Sequence, residues 1–183
     1  KNLDITYVKI GMLSTVSIVK TINQCLEEYL PKVSIILDPV MVAKGGCPLL
    51  EKTAIKHLKE SLLLKSFLIT PNLLEAEEIL GCSIKSLDDM EKSFEKFKEL
   101  GFTNVLLKGG HLFKEKERVT DFLYQKGKVY KFSSKRIKTK NTHGTGCSLA
   151  AAVTANLYLG KSLKESVKLA RKFVNKAIKN SVS

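Results

Sequence analysis

The sequence predicts an α/β protein with a central, mostly parallel sheet and helices on both of its faces. Two observations carry this. Short β-branched runs alternate along the chain with stretches whose apolar residues recur every three or four positions. The strand-like runs also close on glycine or polar residues. Strand, helix, strand repeated in this way implies parallel strands with both faces covered.

The elements follow in order. "ITYVKIGM" (Ile5–Met12) reads as a strand, and Ser14–Leu30 sets Val16, Val19, Ile22, Leu26 and Tyr29 on one helical stripe. "VSIILDPV" (Val33–Val40) is a buried strand, Lys52–Leu64 is helical, and "SFLITPN" (Ser66–Asn72) is a strand ended by Pro71. Leu73–Leu80 is a short helix stopped by Gly81. Asp88–Leu100 is a longer one, stopped by Gly101, with Phe94 and Phe97 turned inward. "NVLLKGG" (Asn104–Gly110) is a strand, and "TDFLYQKGKVYKF" (Thr120–Phe132) a hairpin turning at Lys126-Gly127. Two helices close the chain, at about 144–159 and 163–180. No internal repeat, linker or low-complexity tract interrupts them.

Composition narrows the function classes. At 183 residues the chain suffices for one domain with a real core. No apolar run approaches the roughly 18 residues of a membrane span, and Lys1–Asp4 followed by the short run Ile5–Ile10 does not make a signal peptide. Cys25, Cys47, Cys82 and Cys147 are scattered without a CxxC pair, which argues against a zinc or redox motif and for a reducing cytoplasm. The net charge of +13 invites a nucleic-acid partner. The lysines are nevertheless spread over every helical segment. Lys164, Lys168, Lys172, Lys176 and Lys179 recur as a solvated helix face does, and such a protein also suits phosphorylated small substrates.

In a parallel sheet, ligands bind beyond the carboxyl ends of the strands, so the residues there are the candidates. Gly11-Met12, Asp38-Pro39, Pro71-Asn72 and Lys108-Gly109-Gly110 occupy those ends. Asp38, closing an apolar strand, is either a divalent-cation ligand or a turn aspartate. Asn72 and Glu75, three apart, resemble a capping box; Glu75 in the first helical turn also faces the cleft, where it would orient a metal-bound water. Lys108 follows four apolar strand residues, with Gly109 and Gly110 permitting close approach to a ligand phosphate; the alternative is a plain Gly-Gly turn. Gly144-Thr145-Gly146-Cys147 opens an alanine-rich helix. Free N–H groups there attract anions, and the same positive end favours a thiolate at Cys147. Otherwise Cys147 is a small buried cysteine among alanines.

The strings "VKIGML", "ILDPVMVAKGGCPLL", "LITPNLLEAEEILG", "LLKGGH" and "KTKNTHGTGCSLAAA" together resemble the ribokinase superfamily, and within it the hydroxymethylpyrimidine/phosphomethylpyrimidine kinases of thiamin biosynthesis. The likeness runs over nearly the whole chain in the family's order and spacing. Most of the superfamily carries aspartate in a Gly-Ala-Gly-Asp motif. The Gly-Thr-Gly-Cys version is similar to the pyrimidine kinases and some pyridoxal kinases, and "DPVMVAK" favours the former.

The resemblance implies a ribokinase-like three-layer sandwich. It implies ATP-dependent phosphorylation of 4-amino-5-hydroxymethyl-2-methylpyrimidine and then of its monophosphate. Cys147 would be the base that takes the hydroxyl proton, and Gly144, Thr145 and Gly146 the anion hole. Asp38 and Glu75 would handle Mg²⁺, Asn72 and Lys108 would contact the nucleotide phosphates, and Met12 and Val40 would line the pyrimidine pocket. The family is typically a homodimer. Two local departures are Gly45-Gly46-Cys47 in place of Ser-Gly-Asp, and Ser148 in place of threonine. The chain also opens almost inside its first strand. That predicts a single domain forming the C-terminal portion of such a kinase, with the family's first strands, part of its pyrimidine site and much of its dimer surface missing. Pyridoxal kinase is the neighbouring alternative. A non-catalytic ligand-binding domain is the more distant one, opposed by the joint presence of Asp38, Glu75, Lys108 and Cys147.

Overall fold

The computed structural model describes residues 4–41, 49–112 and 116–181, without the Lys52 side chain. The departure at Gly45-Gly46-Cys47 lies outside them. Six strands form one sheet in sequence order: β1 (Tyr7–Ile10), β2 (Ser34–Leu37), β3 (Leu68–Ile69), β4 (Asn104–Leu107), β5 (Arg118–Gln125) and β6 (Lys128–Lys135). The first four are parallel, and the last two run antiparallel. The hairpin turns at Lys126 and Gly127, both at positive φ (46° and 84°), the primed geometry that matches strand twist.

Successive strand residues point to opposite faces, and that alternation builds two cores. Ile35 and Leu37, Ile69, Val105 and Leu107, and Phe122 and Tyr124 face one side. It is covered by α1 (Val16–Tyr29), α2 (Lys52–Leu58), α3 (Leu73–Leu80) and α4 (Leu87–Glu99), through Val19, Ala54, Ala76, Phe94 and Phe97 among others. Ile36, Leu68, Leu106 and Leu123 face the other, beneath α5 (Thr145–Tyr158) and α6 (Leu163–Lys179). Each fully buried leucine, isoleucine or phenylalanine contributes about 1.5–3 kcal/mol by leaving water. The two clusters, helix over sheet over helix, give the three layers expected.

Local chemistry sets the helix ends. Thr15, Asn72, Ser86 and Ser162 cap α1, α3, α4 and α6 with their side chains, and Gly81 ends α3 in the left-handed region. The five α6 lysines are exposed as the periodicity predicts. Two expectations change. The helix expected over Lys52–Leu64 becomes a π turn at Lys59–Leu63, where consecutive Leu62 and Leu63 are both buried. Tyr29, expected on the buried stripe of α1, is 69% exposed; it stands at the last turn, where α1 flanks a groove along the edge strand β1.

Candidate active site

The pleat that sorts the cores also aims a row of polar side chains. Two residues beyond Ile36, Leu68 and Leu106, on the face covered by α5 and α6, stand Asp38, Thr70 and Lys108. The Asp38 N–H donates to Ile10 O at 2.9 Å and the Thr70 N–H to Leu37 O at 2.9 Å, so each continues its strand's ladder by one step. Lys108 N–H donates to Pro71 O at 2.9 Å, and a parallel bridge joins Lys108 to Asn72. The carboxyl ends of β2, β3 and β4 thus converge.

At their meeting point lies an ion pair. Lys108 Nζ donates to Asp38 Oδ1 at 2.7 Å, and Thr70 Oγ1 donates to the same oxygen at 3.0 Å. Asp38 is 1% exposed, and the Lys108 side chain 15%. Burial alone would push the Asp38 carboxyl up. The Lys108 ammonium, the Thr70 hydroxyl and the more distant charge of Lys9 outweigh it and hold Asp38 below the ordinary carboxylate range.

Glu75 has a different balance. Its capping box with Asn72 is complete: Glu75 N–H donates to Asn72 Oδ1 at 3.0 Å, and Asn72 N–H donates to Glu75 Oε2 at 2.7 Å. The side chain is nevertheless buried, and burial pushes its carboxyl up to about 7, with Asp38 adding to the rise and Lys108 and the Asn72 and Met41 N–H groups opposing it. Both readings of Asn72 and Glu75 therefore meet in one place: the cap is what aims Glu75 at Lys108 and Asp38.

The glycine turns divide. A Cβ on Gly109 would lie 2.0 Å from Thr120 O, so this glycine is demanded by strand β5 and not by a ligand phosphate. Gly109 N–H donates to Asp121 Oδ1 at 2.8 Å, and Asp121 Oδ2 accepts from Arg171 Nε at 2.7 Å. A buried ion pair from α6 thereby fixes the backbone beside Lys108. Gly146 is the glycine that lets a site group in, since its Cβ would lie 3.3 Å from Lys108 Nζ. Gly144, at φ 74°, starts α5 with no side-chain cap, and Thr145 turns its hydroxyl to Thr142 O at 2.8 Å. The first turn of α5 thus has no side-chain cap at its N-cap residue, and a helix start of that kind attracts anions.

Cys147 corrects two expectations. It is exposed, not packed among the alanines. Its thiol is also not lowered: partial burial pushes it up, the neighbouring Asp38 carboxylate adds to the rise, and Lys9 and Lys108 only partly offset both. The helix N-terminus by itself favours a thiolate; partial burial and a carboxylate from another strand work against it. Met12, 53% exposed, and Val40, half-buried, follow β1 and β2, whose last residues Ile10 and Leu37 are register partners.

Sequence reasoning missed Thr70, Asp121, Arg171 and Lys9. The first three carry no local signal, because each acts through a partner on another element. Lys9 did carry one, a charge inside the otherwise apolar "ITYVKIGM", the same signal that singled out Lys108.

Comparison with known proteins agrees with the geometry. The family model of phosphomethylpyrimidine kinase matches residues 1–183. A hydroxymethylpyrimidine/phosphomethylpyrimidine kinase of Bacillus subtilis is 39% identical over 175 residues, 96% of this chain and 64% of the relative. Among solved structures, a Staphylococcus aureus pyridoxal kinase in complex with AMP-PCP superposes with a TM-score of 0.85 at 33% identity, covering 97% of this chain and 64% of that one. A Clostridium difficile phosphomethylpyrimidine kinase gives 0.79 at 38% identity, covering 94% and 69%. The chain spans a little under two thirds of the length of the Bacillus relative, and it belongs to the phosphomethylpyrimidine kinase family, with the ribokinase-like fold.

Proposed function

We propose that the whole protein transfers a phosphoryl group from ATP to 4-amino-5-hydroxymethyl-2-methylpyrimidine and then to its monophosphate, in thiamin biosynthesis. The observation that carries this reading is the convergence of Lys108, Asp38, Glu75 and the uncapped start of α5, with Cys147, at one end of the sheet. A cation beside an open helix N-terminus is an anion site, and phosphoryl transfer is mainly positioning and charge stabilisation.

Lys108 and Asn72 hold the nucleotide phosphates, while Gly144, Thr145 and Gly146 receive the transferred group on their N–H groups. As the thiolate, Cys147 takes the hydroxyl proton of the alcohol acceptor on Sγ. Its raised thiol makes it a reluctant thiolate, so the surrounding ammonium groups matter to its work as a base. Met12 and Val40 contact the pyrimidine.

The donor set fits Mg²⁺. Asp38 and Glu75 are buried carboxyl groups, with the charge of Asp38 acting on Glu75, and Mg²⁺ takes one or two carboxylates beside water and phosphate oxygens. When bound it would neutralise charge on the transferring phosphoryl group.

A homodimer and a cytoplasmic location belong to the same reading. Among the described residues Cys25, Cys82 and Cys147 are free thiols, which suits a reducing compartment. Pyridoxal is the second acceptor to weigh, because pyridoxal kinases superpose as well as they do. The test measures ATP-dependent phosphorylation of the pyrimidine alcohol and of pyridoxal by the full-length protein. Preference for the pyrimidine is expected, preference for pyridoxal would favour the second reading, and turnover of neither would sink both.

A further inference from the structure

Strand β1 sends one more cation into this site. Its residues alternate, with Ile10 on the α1 side and Tyr7 packed under α5 and α6, so Lys9 shares a face with Tyr7 and with Asp38 of the next strand. Lys9 is the register partner of Ile36. Its side chain runs forward along the strand, over Gly11: a Cβ there would lie 2.6 Å from Lys9 Nζ. Any other residue at position 11 would displace the ammonium. Gly11 also follows Ile10, whose carbonyl accepts the Asp38 N–H, so the ammonium is carried towards the Asp38 end of the cleft, beneath the start of α5.

Asp38 is already taken. Lys108 and Thr70 bond its Oδ1, and among the described residues Lys9 has neither an ion-pair nor a hydrogen-bond partner. A lysine held over a glycine and left without a counter-ion is arranged for an anion that arrives from outside. Its charge reaches both Asp38 and Cys147, which places it on the acceptor side, beside the proposed base. The two proposed acceptors differ there by one feature: the first is a neutral alcohol, the second a phosphate dianion.

We propose that Lys9 is the specificity-determining residue for the second phosphorylation, binding the phosphate of the monophosphate acceptor, with Gly11 making room for its ammonium. This rests on the proposed kinase reading. The step itself needs no new co-reactant, since Lys9 binds an existing phosphate and moves no proton.

The test compares wild type, Lys9→Met and Lys9→Arg in the full-length protein. For Lys9→Met, kcat/KM for the monophosphate should fall at least about 10-fold further than kcat/KM for the alcohol, as loss of a charge-assisted contact predicts. Lys9→Arg should recover part of the gap. Inorganic phosphate binding without nucleotide, followed by calorimetry, should weaken at least about 10-fold in Lys9→Met at an unchanged Tm. Equal losses on the two acceptors, or no loss on either, would overturn the proposal, as would unchanged phosphate affinity. If wild type phosphorylates neither acceptor, the kinase reading fails on that result, and phosphate affinity still decides whether Lys9 binds an anion.

Discussion

Helices α3 and α5 begin at the same end of the same sheet, both beside Lys108, and they begin in opposite ways. The first turn of α3 is closed by its own side chains, Asn72 and Glu75, each accepting from the other's backbone. The first turn of α5 has no side-chain cap and starts from a left-handed glycine. A missing cap costs about 1 kcal/mol of stability, which the buried face of α5 (Leu149, Ala150, Val153, Leu157) readily offsets. The difference teaches where the protein keeps its own polar groups satisfied and where it holds them open for something else.

Three substitutions would break or sharpen that contrast. On the open helix, Cys147→Ala should cost roughly 10²–10⁴-fold in turnover, the usual range for a general base, and leave Tm nearly unchanged because the side chain is exposed. Comparable losses in activity and stability would make Cys147 a packing residue. On the closed helix, Glu75→Gln keeps the capping box, because glutamine serves at that position as well. The Glu75 carboxyl sits at about 7 in the folded protein against an ordinary 4.5, so the folded state holds its proton more tightly than the unfolded chain does. Its contribution to stability is therefore complete below about pH 4.5 and is lost as pH rises through about 7. Denaturant unfolding should show the glutamine variant gaining about 1–3 kcal/mol on wild type between pH 5 and pH 8. A constant difference across that range would mean that Glu75 is not desolvated. The smallest effect belongs to Asn72→Ala, which opens the closed helix and should lower stability by about 1 kcal/mol, or roughly 2–4 °C in Tm for a chain of this size. No change in Tm would show that the cap serves only to aim Glu75.

Much of this was legible in the sequence where structure is local. The Leu73–Leu80 helix, the Lys126-Gly127 turn and the inward Phe94 and Phe97 follow from spacing and glycine alone. Cys147 stands at a helix start as expected, yet its thiol is raised and not lowered, because partial burial and then Asp38, more than a hundred residues away in sequence, act on it and no helix rule contains either. Gly109 was recognised as a close approach, but to the wrong partner. The carbonyl of Thr120 belongs to a strand whose register cannot be read from "LLKGGH". Lys9 is visible in the sequence as a charge inside an apolar strand, but only the pleat shows that position 9 points along the row of Asp38 and Lys108.

The β5–β6 hairpin also orders events in time. Its strands pair from Arg118 with Lys135 down to Gln125 with Lys128 across a two-residue turn, and such hairpins close in about 1–10 μs. The parallel pairs β1–β2 and β2–β3 wait for whole helices to cross over, a slower search because longer loops must close first. Asp121 therefore arrives early, on a preformed ribbon, while its partner Arg171 lies fifty residues further on, in the last helix. The turn beside Lys108 is set only when that helix docks, so the Lys108 end of the sheet becomes rigid last. Pulsed hydrogen exchange during refolding should find the β5 and β6 amides protected before those of β1 and β2, and simultaneous protection would count against this order.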